Sequence, residues 1–168
     1  MSLWHSERSR DGGVDEIALP EGPGRLWLCG KHVVGPDPEA LLDRLGATVI
    51  VALNEPHELD DRYPDYVLWL RSSSKAVWHP VPDLHAPTVA ETVALTDELR
   101  TRIRRGDQIV LHCGAGIGRA GTIAAALLVR MGLPLDEALA RVATSRPMAG
   151  PEVGAQRDLL DALSAGAS

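Results

Sequence analysis

The chain of 168 residues contains no phenylalanine, only two tyrosines and four tryptophans, two cysteines, and a small excess of acid over base. Each scarcity excludes something. Two cysteines, Cys29 and Cys113, cannot staple a small secreted fold, and neither lies in a CxxC pair or a histidine-rich cluster, so a disulfide framework and a metal centre are not expected. No apolar run approaches the ~20 residues of a membrane span. The opening "MSLWHSERSRDGG" has no apolar signal region. These features lead to the expectation of a cytoplasmic protein with reduced thiols. Lys and Arg total 17 against 23 Asp and Glu, a net charge of −6, which argues against nucleic acid or an anionic membrane as partner.

What remains is a hydrophobic content of 45%, enough to bury one ordinary core. Residues 1–24 are polar and rich in Gly and Pro, so they read as a flexible arm ahead of one domain over 25–168. "RLWLC" (25–29), "ATVIVAL" (47–53), "AVWHPV" (76–81) and "QIVLHC" (108–113) read as strands. Asp37 and Pro38 form a helix start, with Gly46 as its stop. Short helices are expected over Glu58–Tyr63 and Tyr66–Arg71. Thr88 and Glu91 form a capping box for a helix ending at Gly106. A buried helix should run from Ala120 to Met131, followed by two more over 134–145 and 152–164. The alternation predicts an α/β domain with a mainly parallel central sheet flanked by helices.

In such a sheet, ligands bind beyond the carboxyl ends of the strands. "HCGAGIGR" (112–119) lies there, between a strand and a helix. Gly114, Gly116 and Gly118 let the loop Gly114-Ala115-Gly116-Ile117-Gly118 fold tightly, with successive N–H groups turned inward as an anion nest. The helix N-terminus adds partial positive charge, and Arg119 can fork two hydrogen bonds onto an oxyanion. Cys113 sits at the base; helix N-termini and cations favour the thiolate, which can attack a bound phosphoryl group. His112 would orient the loop rather than act as a base. Cys29 reads as inert packing. The loop lacks the lysine of G-x-x-x-x-G-K-[ST], which counts against a nucleotide P-loop.

The pattern resembles the signature H-C-x5-R-[ST] of the cysteine-dependent protein tyrosine and dual-specificity phosphatase superfamily, with the Ala115–Gly116 and Gly118–Arg119 pairs in their small dual-specificity form. The resemblance covers roughly residues 25–160. It implies the phosphotyrosine protein phosphatase-like fold, and activity on phosphotyrosine or phosphoserine/threonine, with no cofactor or metal. It further implies Asp83 of "HPVPDLHAP", 30 residues before Cys113, as the acid that protonates the leaving oxygen. Gln156, in "RPMAGPEVGAQRDLL", maps to a glutamine that positions the hydrolytic water in kinase-associated and related small phosphatases. A solvated place on a helix face is the plainer alternative. Arg146 either shapes the pocket or caps the preceding helix, and His85 either touches substrate or is solvated.

The chain departs from the signature at Ala120, where the family has Ser or Thr whose hydroxyl helps the cysteine leave. Thr122 lies about 200° further round a helix, so it is badly placed to substitute. Slow breakdown of the phosphocysteine is therefore expected. The uncharged loop lacks the lysines often found in phosphoinositide phosphatases of this superfamily. A phosphate-binding module without turnover, and a phosphatase of a small metabolite or an RNA 5′ end, are the alternatives, the last disfavoured by the acidic charge. Tyr63, Tyr66 and Trp69 line the site or belong to the core.

Overall fold

The computed structural model describes residues 13–166. A five-stranded sheet has the order β1-β2-β5-β3-β4, from β1 (Asp15–Ile17), β2 (Arg25–Gly30), β3 (Val49–Ala52), β4 (Ala76–Trp78) and β5 (Gln108–Cys113). β1 pairs antiparallel with β2, and every other pairing is parallel. The central strand β5 ends in register with its neighbours, Cys113 opposite Gly30 and His112 opposite Ala52.

Among the described residues seven helices occur, in chain order: α1 (Lys31–Val34), α2 (Pro38–Leu45), α3 (Pro64–Ser72), α4 (Val89–Arg104), α5 (Gly118–Arg130), α6 (Leu135–Ser145) and α7 (Gly154–Gly166). Successive strand residues point to opposite faces, and both faces are apolar. Leu26, Leu28, Val49, Val51, Ile109 and Leu111 face the core shared with α4–α7. Trp27, Cys29, Ile50, Ala52 and Val110 face the smaller core of α1–α3. The sheet is therefore the middle of three layers. α5 is buried along its length except Arg130, because its apolar residues run all round.

Three differences from the sequence reading have local causes. The expected flexible arm over 1–24 does not extend to residues 15–17, which form β1; residues 1–12 lie outside the described residues. β1 is held because Asp15 meets the buried Arg146 at 2.7 Å. Glu21 also pairs with Arg100, and Gly24 N–H donates to the Ile103 carbonyl. The expected strand over 76–81 is regular only to Trp78, since Pro80 and Pro82 have no N–H to donate. His79 and Val81 still donate to the Ala52 and Leu53 carbonyls. The expected helix over Glu58–Tyr63 is instead a single 3-10 turn at Pro56–Glu58, and the next true helix starts at Pro64, where a missing N–H costs nothing.

α2 shows how sequence sets a boundary. The Asp37 carboxylate accepts the Ala40 N–H at 3.0 Å, Pro38 opens the helix, and Gly46 closes it at φ +68°. Asp37→Ala should cost about 1 kcal/mol; urea unfolding would show a lower midpoint with an unchanged m-value.

Candidate functional site

The loop after β5 owes its shape to bonds made by its carbonyls. Gly114 C=O accepts the Lys31 N–H at 2.9 Å, and Ile117 C=O accepts the Gly150 N–H at 3.0 Å. Between them, the Arg146 guanidinium takes Ala115 C=O through Nη2 and Gly116 C=O through Nε, both at 2.9 Å. Four successive carbonyls are thus engaged from outside the loop. Among the described residues, the N–H groups of 114–118 have no protein acceptor, and they remain available to an anion.

Gly116 adopts φ +73°, and a Cβ there would run into the Cys29 carbonyl. This is the position where the loop needs glycine most. Arg146, 5% exposed, therefore shapes the pocket from beneath. Its Nη1 reaches Asp15 and the Gly13 carbonyl, each at 2.7 Å.

Cys113 lies 3% exposed at the floor, and the Ala120 N–H points at its Sγ from 3.4 Å. No hydroxyl stands at that place. Thr122, the nearest candidate in sequence, turns instead toward Gln156 Oε1 at 3.5 Å. The second thiol, Cys29, is fully buried, and that burial pushes its pKa up to about 12, so it stays protonated.

His112 is buried on the opposite face of β5. Its Nε2 lies 2.6 Å from the Tyr66 hydroxyl and its Nδ1 3.3 Å from the Cys113 carbonyl. A carbonyl can only accept, so Nδ1 carries the hydrogen and Nε2 accepts from Tyr66. Burial, opposed by the bond to Cys113 C=O and reinforced by Arg119, lowers its pKa to about 4. His112 is a neutral strut between α3 and the loop. Tyr66 accordingly belongs to the core, stacked on Trp69.

Arg119 is gripped by a residue that sequence reasoning missed. Glu58 receives Arg119 Nη1 at 2.8 Å and Nη2 at 2.7 Å, a fork-on-fork pair, while the Val81 carbonyl accepts a further bond at 2.8 Å. Burial acts to raise the Glu58 pKa, but Arg119, the Glu55 N–H and the Asn54 amide outweigh it and hold it at about 2. Burial likewise works against the charge on Arg119, and Glu58 more than offsets it. The only hint in sequence was a carboxylate within "NEPHE", with nothing to link it to a residue 61 positions away.

Asp83 is 69% exposed, with Oδ1 3.4 Å from Arg119 Nη2 and accepting the Leu84 N–H at 3.0 Å. It and Cys113 line one cleft of about 460 Å³, with Lys31, Glu58, Arg119 and Glu152. His85 does not reach into it; its Nδ1 bonds the Asp83 carbonyl at 2.8 Å.

Gln156 is 1% exposed, so it is not on a solvated face. Its Oε1 accepts the Glu152 N–H at 2.8 Å and its Nε2 donates to the His85 carbonyl at 3.2 Å. It ties α7 to the loop that carries Asp83.

This architecture is that of the dual-specificity and tyrosine phosphatases. The chain is similar to solved Tk-PTP in its active form, at 28% identity and TM-score 0.67, covering 86% of this chain and 93% of that one. It also shares its fold with a kinase-associated phosphatase bearing serine at its catalytic cysteine, at 23% identity and TM-score 0.73, covering 90% and 96%. The family model of PTP-SAK, the Swiss Army Knife protein DSP-PTPase phosphatase domain, matches residues 22–161, and the chain belongs to that family. Curated relatives match over shorter segments. Dual specificity protein phosphatase 1 of Arabidopsis thaliana is 38% identical over 42% of this chain and 35% of its own length. Cyclin-dependent kinase inhibitor 3 of Sus scrofa is 35% identical over 30% and 24%. The matched segments thus span about a quarter to a third of these relatives.

Two of the perturbed groups, His112 and Glu58, tie stability to acid pH. The native pKa of His112, about 4, lies below its ordinary 6.5, so the unfolded chain binds the proton more tightly and stability falls between those values as acid is added. For Glu58, stabilisation is complete above 4.5 and is lost on descending toward 2. Denaturation at successive pH values should show a loss of about 3 kcal/mol between pH 6.5 and 4 from His112. His112→Asn should reduce the loss in that interval to the part contributed by His32, whose pKa is also depressed, and leave the drop below pH 4.5.

Proposed function

We propose that this domain hydrolyses phosphomonoesters through a phosphocysteine intermediate, acting on phosphotyrosine and secondarily on phosphoserine or phosphothreonine. The observation that carries the reading is the loop with its carbonyls tied outward, its N–H groups free, and Cys113 and Arg119 at its two ends. A phosphoryl group docks on the N–H groups of Gly114, Ala115, Gly116, Ile117 and Gly118 and on Arg119. The Cys113 thiolate attacks phosphorus, forming S–P as the ester P–O bond breaks, and Asp83 delivers its proton to the leaving oxygen. Water then attacks phosphorus and gives a proton to the Asp83 carboxylate; S–P breaks and inorganic phosphate leaves.

Glu58 keeps Arg119 charged and aimed, His112 holds the loop end, and Gln156 fixes the acid loop. A direct hold on the water by Gln156 would require its amide to leave the Glu152 and His85 bonds. Membership of a phosphatase family supports the activity. Among the described residues no helix is long and apolar enough to cross a membrane. Both cysteines are free, in keeping with a cytoplasmic location.

Ala120 favours a second reading, a phosphate-binding module that captures phosphoproteins without processing them. With only a 3.4 Å N–H contact at Sγ, departure of the thiolate lacks a hydroxyl donor.

Stopped-flow release of p-nitrophenol from p-nitrophenyl phosphate near pH 6 separates the readings. A burst of one equivalent followed by slow turnover is expected, abolished in Cys113→Ser, with Ala120→Ser raising the slow phase several-fold. Release by neither native protein nor Ala120→Ser, together with stable capture of a phosphopeptide by native protein, would favour the binding module. For the acid, Asp83→Asn should lower kcat/KM by about 10²–10⁴-fold on phosphotyrosine and remove the alkaline limb of the pH–kcat/KM profile; an unchanged profile assigns the proton elsewhere.

A further inference from the structure

Lys31 and His32 begin α1 at the carboxyl end of β2, and both line the cleft with Cys113. The chain is pressed against the phosphate loop here: a Cβ on Gly30 would lie 2.8 Å from the Gly114 carbonyl oxygen. The Lys31 ammonium donates to the Glu58 carbonyl at 3.1 Å. Among the described residues it has no carboxylate partner, which leaves two donors unused. It is a fixed cation beside the residue that aims Arg119.

His32 places Nδ1 2.6 Å from the Tyr63 hydroxyl. Burial first, then Arg62 and Lys31, depress its pKa, so the ring is neutral near pH 7. In the tautomer where Tyr63 O–H donates to Nδ1, the Nε2–H is a second donor.

The Glu152 carboxylate lies against Gly118, where a Cβ would collide with it, and Asp83 stands beside Arg119. The rim therefore carries a carboxylate at Gly118, while the Lys31 cation enters the same cleft beside the Glu58 carbonyl. Binding and transfer of a single phosphoryl group use the loop N–H groups, Arg119, Cys113 and Asp83; nothing in those steps uses Lys31 Nζ or His32 Nε2.

We infer that Lys31 and His32 form a second anion subsite, which takes a carboxylate or phosphate carried on the same small phosphomonoester as the scissile group. This rests on the phosphatase reading of the Cys113 loop. A small molecule is favoured because both subsites lie in one concavity of about 460 Å³, the size of a compact ligand site. Glu152 opposes the reversed placement by like-charge repulsion.

The test compares 3- and 4-carboxyphenyl phosphate with their neutral isosteres, 3- and 4-carbamoylphenyl phosphate. Native protein, Lys31→Met, Lys31→Gln and Lys31→Arg are assayed by phosphate release. Native protein should prefer the carboxylate over its amide by about tenfold in kcat/KM at one ring position at least, through KM. Lys31→Met should bring that ratio to about one, and Lys31→Arg should keep it. Lys31→Gln preserves a donor to the Glu58 carbonyl and serves should the Met variant not fold. An equal ratio in native and Lys31-substituted proteins overturns the subsite. If none of the four is hydrolysed, and p-nitrophenyl phosphate is not either, the phosphatase reading fails separately, and calorimetric binding of the same four compounds to Cys113→Ser decides the subsite by the same ratio. Dependence on Lys31 only with phosphotyrosyl peptides flanked by glutamate would overturn the small-molecule assignment in favour of a protein ligand.

Discussion

Arg146 is the constraint on which the rest of the site depends. A glycine loop has no preference of its own for pointing its carbonyls away from a cavity, and unpaired carbonyls at this depth would be costly. One guanidinium, buried beside Asp15, takes two of those carbonyls and a third from Gly13. Planar, forked donors suit this work, and a lysine could not reproduce it. The loop is thereby turned inside out, with its N–H dipoles facing the cleft before any anion arrives. The same guanidinium fastens β1 to the domain, so the edge of the sheet and the glycine loop are held by one side chain.

A second buried charge works in concert. Arg119 and Glu58 neutralise each other in geometry that leaves the guanidinium beside the loop. Removing Glu58 alone would strand a buried cation, the expensive way to break such a pair. The fold thus spends two buried arginines on one loop of five residues, one to shape it from outside and one to work within it. The sheet supplies the frame: β5 delivers Cys113 and His112 at its end, and β2, in register beside it, delivers Gly30 and Lys31.

Ala120 and the polarised rim bear on substrate rather than on fold. Thr122 has its hydroxyl on Gln156, so it does not replace the missing one at Sγ. Glu152 beside Gly118 and Lys31 beside the Glu58 carbonyl bring charges of both signs to a cleft whose glycine loop carries none.

The local sequence determined a great deal. Strand β5, its glycine loop and the helix behind it were legible because their signals lie within two dozen consecutive residues, and so were the Asp37 and Thr88 caps. Asp83 could be placed on a proline-stiffened loop, and the structure puts it beside Arg119. Distance in sequence hid the rest. Glu58 and Asp15 are ordinary surface-type residues, and Arg146 is open between pocket and helix cap, until a fold brings each charge to its partner. Gln156 could not be told from a solvated side chain until α7 packed it against Thr122 and the His85 carbonyl. β1 lay within a polar, Gly- and Pro-rich segment with no alternation to mark it. Short-range patterning therefore decided the elements and the glycine loop that follows Cys113. Which charges are buried, and against what, was decided only by tertiary packing, because the pairing energy of a buried ion exists only once water has been excluded from both partners.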